Sequence, residues 1–213
     1  MTSEIEKRLR AVPLVPLVQA SDVDVAVTTA RALVDGGLSV IEVVLRTPEA
    51  LQCLEAIVDQ VPAAITGAGT VLNAGQARSA VQSRGQFIVS PGLDEGVVEV
   101  ATENKLPVYP GVATATELQR AWNMGLRAVK FFPAAHAGGP AMLKSLSAVF
   151  RDMSFMPTGG VTASNLADYL ALPAVLACGG SWLTPQAAID GGDFAAVTGL
   201  ARQAVAIALA ARG

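Results

Sequence analysis

Charge is scarce in this chain. Only 15% of its 213 residues are Asp, Glu, Lys or Arg, against roughly 25% in an average soluble domain. Two arrangements account for the deficit: strands buried on both faces of a parallel sheet, or surface covered by further copies of the chain. Histidine is limited to His136, and cysteine to Cys53 and Cys178. With no metal-ligand spacing among them, no zinc or other metal site is expected. The cysteines read as small buried hydrophobes of a reducing compartment. A net charge of −3 lacks the basic footprint that a nucleic-acid partner requires. Long apolar runs are also missing. None reaches the roughly 18–20 uncharged residues of a membrane span, and the most apolar tail, Leu200 to Ala211, is interrupted by Arg202 and Gln203. The first residues carry Glu4, Glu6, Lys7, Arg8 and Arg10 in place of an apolar segment. No signal peptide is expected there, and a cytoplasmic location follows.

What the chain does have is alternation. Short apolar runs lie at Pro13–Val18, Val40–Leu45, Ala64–Gly67, Phe87–Val89, Pro107–Tyr109, Ala128–Phe132, Phe155–Pro157 and Val175–Cys178. Each precedes an amphipathic stretch: Val23–Asp35, Glu49–Gln60, Ala74–Ser83, Asp94–Asn104, Thr116–Met124, Ala141–Phe150, Ala163–Leu170 and a tail to Ala210. Strands alternating with helices pair in parallel through right-handed crossovers. Eight such units predict a single (β/α)8 barrel domain over residues 1–213, with Glu4–Arg10 as a short extra helix below it. Gly36–Gly37, Gly85 and Gly125 sit where helices must stop. Ser21–Asp22, Thr47–Pro48 and Thr162–Ala163–Ser164 look like helix starts. An open doubly wound sheet also alternates, but its glycine-rich first turn is replaced here by Gln19-Ala20-Ser21-Asp22.

Barrel chemistry sits at the carboxyl ends of the strands, and the unusual residues fall there. Side chains alternate faces along a strand. Glu42, Val44 and Arg46 therefore share one face, and the aliphatic set Ile41, Val43 and Leu45 suits the helix layer. By the same period Lys130 points inward with Ala128 and Phe132. A lysine inside Ala-Val-Lys-Phe-Phe-Pro is either half of a buried ion pair with Glu42 or a nucleophilic amine. Desolvation of a lysine disfavours its ammonium form and frees the lone pair. Glu42 is either structural or a general acid/base. Arg46 is either a surface side chain or a fork for a carboxylate. Thr158-Gly159-Gly160 and Gly179-Gly180-Ser181 end the last two strands, where barrels commonly build a phosphate site. Glycine lets backbone N–H groups approach the oxygens there. His136 reads as a surface-loop residue, Trp182 as packing at the barrel rim and Tyr109 as core.

Seven segments carry a resemblance. They are Ile41–Thr47, Gly67–Asn73, Ser90–Gly92, Tyr109–Val112, Val129–Ala134, Pro157–Gly160 and Gly179–Leu183. Colinear and spread over most of the chain, they resemble the bacterial 2-keto-3-deoxy-6-phosphogluconate (KDPG) aldolases, which often also accept 4-hydroxy-2-oxoglutarate (KHG). Lys130-Phe131-Phe132-Pro133 is closer to the phosphogluconate branch than to the phosphogalactonate branch. The resemblance implies a metal- and cofactor-free class I aldolase of the Entner–Doudoroff pathway, assembled as a homotrimer. It would release pyruvate with glyceraldehyde 3-phosphate, or with glyoxylate from KHG. It implies Lys130 as the Schiff-base lysine and Glu42 as the general acid/base. Arg46 and Thr70 would lie near the substrate carboxylate, Pro91 and Phe132 would line the pocket, and Thr158 would contact the pyruvyl part. Gly159, Gly160, Gly180 and Ser181 would take the phosphate. The alternatives are a phosphogalactonate aldolase, a phosphosugar isomerase and a non-catalytic phosphate-binding barrel.

Overall fold

The structure, a computed structural model, describes residues 4–212; positions 1–3 and 213 of the expected domain lie outside the described residues. Helix α1 (Glu4–Ala11) leads into β1 (Leu14–Val18), α2 (Val23–Asp35), β2 (Val40–Val44), α3 (Ala50–Gln60), β3 (Ile65–Gly69), α4 (Ala74–Gln82), β4 (Ile88–Val89) and α5 (Glu95–Glu103). The chain continues through β5 (Val108–Tyr109), β6 (Gly111–Val112), α6 (Ala115–Asn123), β7 (Ala128–Phe131), α7 (Gly139–Val149), β8 (Ser154–Pro157), α8 (Leu166–Leu170) and β9 (Cys178–Gly180). A 3-10 turn (Ser181–Leu183), α9 (Gln186–Asp190) and α10 (Phe194–Arg212) complete it.

Every named strand pair is parallel. The strands form a six-stranded sheet, β5-β4-β3-β2-β1-β9, and a three-stranded sheet, β6-β7-β8. Only Pro110 separates β5 from β6; a proline has no N–H to donate to a ladder. On the other side, the parallel bridge Thr158–Gly179 connects the end of β8 to β9, and Phe155 of β8 bridges Val175, ahead of β9. The fold is thus α/β, with a parallel sheet curled on itself.

Strand alternation divides the core in two. Ile41, Val43, Val129 and Phe131 face the helices. Val15, Val40, Ile65, Phe87, Tyr109 and Met156 fill the interior, and Ile5 and Leu9 of α1 pack into the same cluster. The expected plug helix and the core placement of Tyr109 are both present. Cys53 and Cys178 are buried and free, and burial pushes both thiols up.

Several helix starts follow from single side chains. Asp22, Asn73 and Asp94 accept from Val25 N, Gln76 N and Val97 N. Thr114 and Glu117 form a capping box on α6. Two expected starts are corrected. The Thr47 hydroxyl donates to Ala20 O rather than capping, and α3 begins after Glu49. Thr162 and Ser164 bond each other, and α8 begins after Asn165. At the end of α4 it is Arg84, not Gly85, that takes the left-handed conformation.

The expected helical tail is present: after the 3-10 turn and α9, α10 is one continuous helix of 19 residues. By length and composition alone it is the one helix among the described residues that could cross a membrane. Arg202 lies within it, and Val197, Ala201, Ala204 and Ala208 make its buried face. The helix packs closely on α2: a Cβ at Gly36 would overlap that of Ala201, and Thr198 donates to Ala32 O.

Candidate active site

β2 and β7 lie in different sheets and face each other across the interior. Glu42 is fully buried and Lys130 is 4% exposed. Lys130 Nζ stands 3.6 Å from Glu42 Oε1. Charge-assisted hydrogen bonds between such groups run about 2.7–2.9 Å, so the two side chains are close without being bonded. Neither Glu42 oxygen has a hydrogen-bond partner among the described residues. A stabilising buried ion pair needs good geometry and satisfied lone pairs. This pair has neither, which is the pattern of a site kept for chemistry.

The surrounding strands make room for it. A Cβ at Gly69 would overlap the Glu42 carboxylate, and one at Gly67 would strike the Phe87 ring. Sequence reasoning gave these glycines no role, although glycine at alternate positions of a strand signals close approach. Thr70, next along, has φ 58°, a conformation that costs a non-glycine residue on the order of 1–3 kcal/mol. The Phe132 ring centroid is 5.2 Å from Lys130 Nζ. A Cβ at Gly159 would press on that ring. Thr158 is buried, and its partner Gly179 is small because a Cβ there would meet Thr158 Oγ1. Pro91 is half-buried, and its carbonyl closes on Gly111, the register partner of Lys130.

A cavity of about 240 Å³ adjoins this centre, lined by Leu17, Gln19, Val44, Arg46, Ser181, Thr184, Pro185 and Gln186. Arg46 lies two residues past the end of β2 at Val44; it is exposed and lines this cavity together with Val44 and Ser181. Gly159 and Gly160 have φ 91° and 79°, which favour glycine. Thr184 was not foreseen: its buried hydroxyl donates to Leu17 O at 2.5 Å and tethers the turn after β9 to β1. His136 is exposed, and Trp182 packs against the helix-side core.

The comparisons with known proteins agree with one another. The family model described as KDPG and KHG aldolase matches residues 5–200. The KHG/KDPG aldolase of Escherichia coli (strain K12) is 44% identical over 200 residues, 94% of each chain. The KDPG aldolase of Legionella pneumophila, solved with pyruvate captured as a covalent carbinolamine, is 38% identical with a TM-score of 0.90, covering 95% of this chain and 98% of that one. The Zymomonas mobilis ZM4 enzyme, solved with 3-phosphoglycerate, is 41% identical with a TM-score of 0.89, covering 97% of each. The chain belongs to the KDPG and KHG aldolase family and is a carbon–carbon lyase.

Proposed function

We propose that the chain cleaves 2-dehydro-3-deoxy-6-phosphogluconate to pyruvate and glyceraldehyde 3-phosphate through an imine on Lys130, with Glu42 moving the protons. The buried Lys130–Glu42 approach at 3.6 Å carries this reading. Attack needs a neutral amine, and Glu42 is placed to accept the Nζ proton. The amine adds to the C2 carbonyl to give a carbinolamine, the species captured in the Legionella relative. Glu42 returns its proton to the departing hydroxyl, so that loss of water leaves a protonated imine and a carboxylate. Glu42 then takes the C4 hydroxyl proton while the C3–C4 bonding electrons move into the iminium. The aldehyde departs and an enamine remains. Protonation at C3 and hydrolysis release pyruvate and return Lys130. The iminium is the electron sink, so no metal or cofactor is called for.

In this reading Arg46 and Thr70 serve the substrate carboxylate, and Pro91, Phe132 and Thr158 surround the pyruvyl part. Gly159, Gly160, Gly180 and Ser181 receive the phosphate. KHG is a second substrate, cleaved to pyruvate and glyoxylate. The two sheets, joined at Pro110 and through the Thr158–Gly179 bridge, form one (β/α)8 barrel domain. The enzyme is a cytoplasmic homotrimer, which suits its low charge content.

Pyruvate release, coupled to lactate dehydrogenase, tests the proposal. Wild type turns KDPG over, Lys130→Ala does not while remaining folded, and Glu42→Gln loses about 10²–10⁴-fold in kcat. Substantial turnover by Lys130→Ala overturns it.

A further inference from the structure

We infer that Trp182 is a positioning residue that fixes the turn at Gly180 and Ser181 in the shape that receives the substrate's phosphate. The inference rests on the phosphate assignment proposed above. Gly180 is extended, with φ −147° and ψ 119°, and the chain then tightens at once into the 3-10 turn Ser181–Leu183. The pyrrole edge of the indole lies over Gly180. A Cβ built there would sit 2.5 Å from Trp182 Nε1 and 2.8 Å from Cδ1. Residue 180 can therefore be only glycine while the ring holds this place.

Trp182 Nε1 is buried and has no acceptor among the described residues. Leaving a buried donor unpaired is costly, and a buried indole N–H usually finds a partner. No hydrogen bond sets this ring, so packing does. The ring packs both on the helix-side core and on the backbone next to Ser181. The opposite side of the turn is held by Thr184, whose N–H donates to Ser181 O at 3.2 Å and whose hydroxyl reaches Leu17 O. The turn is thus gripped between the indole and the β1 tether. Ser181 itself stays exposed in the cavity it shares with Arg46 and Gln19.

The test is Trp182→Phe, which keeps an aromatic ring but alters the edge over Gly180. Loosening a charge-assisted contact is worth about tenfold in affinity. KM for KDPG is expected to rise about three- to tenfold, with kcat and the KM for unphosphorylated KHG little changed. A second readout uses Trp122→Phe, which leaves Trp182 as the one indole of the chain. Its emission is expected to change saturably with inorganic phosphate, and Ser181→Ala is expected to weaken that response. An unchanged KM ratio in Trp182→Phe overturns the inference, as does an equal loss on both substrates with a lowered Tm. If Ser181→Ala shifts the KM ratio and Trp182→Phe does not, only the tryptophan assignment fails. If neither does, the phosphate assignment fails with it.

Discussion

Gly69→Ala separates position from identity at the catalytic centre, because it touches Glu42 without replacing it. Gly69 lies on the inner face of β3, beside β2. A Cβ there would stand 2.0 Å from Glu42 Oε1 and 2.5 Å from its carboxyl carbon, whereas ordinary contact begins at 3.4 Å. Restoring contact requires the carboxylate to retreat by more than 1 Å, about 1.4 Å at Oε1. Glu42 is fully buried, so it has no solvent-facing rotamer to take up the shift. A displacement of about 1 Å in a reacting group costs on the order of 10²-fold in rate. Overpacking of this kind costs about 1–3 kcal/mol in stability, and each kcal/mol lowers Tm by about 2–4 °C for a chain of this size. The variant therefore stays folded at 25 °C. The coupled pyruvate assay on KDPG should show kcat reduced roughly 100-fold, with circular dichroism unchanged. A folded Gly69→Ala enzyme with kcat within twofold of wild type would refute the claim that Glu42 acts from the position seen here.

Two further outcomes follow from other parts of the molecule. Ser181→Ala should raise KM for KDPG and barely alter KHG cleavage, and an equal effect on both substrates would remove Ser181 from the phosphate site. Glu117 is held below the usual carboxylate range, chiefly by the Ala113 N–H that donates to it. A carboxyl with a lowered folded value stabilises fully above its unfolded value of 4.5, and that contribution is lost as pH falls through the folded value. Glu117→Ala should thus lower Tm at pH 7 by a few degrees, in line with about 0.5–2 kcal/mol for a helix cap. The gap from wild type should narrow on acidification below about pH 4.5, and a gap of the same size at pH 3 would show that charge is not its source.

The pairing at the centre was legible because it rests on strand period alone. Two short apolar segments, β2 and β7, each carry one ionisable residue in phase with the inward face, and the fold brings those faces together. Arg46 lies two residues beyond the last residue of β2, yet it lines the same cavity as Val44, with which alternation grouped it. Pro110 cut one strand into β5 and β6 for a reason visible in the sequence, the missing N–H. Gly67 and Gly69 also left a signal, glycine two apart in a strand, whose cause is the bulk of Phe87 and Glu42 opposite. Thr184 left none. Its hydroxyl bonds to a carbonyl 167 positions away, and only the curled sheet makes them neighbours. The helical tail was legible as well, since Arg202 interrupts its apolar run without breaking the helix.

In the proposed mechanism Lys130 forms a covalent imine with the substrate. The most direct measurement is to incubate the folded protein with excess pyruvate, reduce with borohydride and locate the adduct by peptide mass spectrometry. One reduced pyruvyl group is expected, on Lys130, and none in Lys130→Ala. No adduct on folded wild-type protein, or an adduct on another lysine, would contradict it.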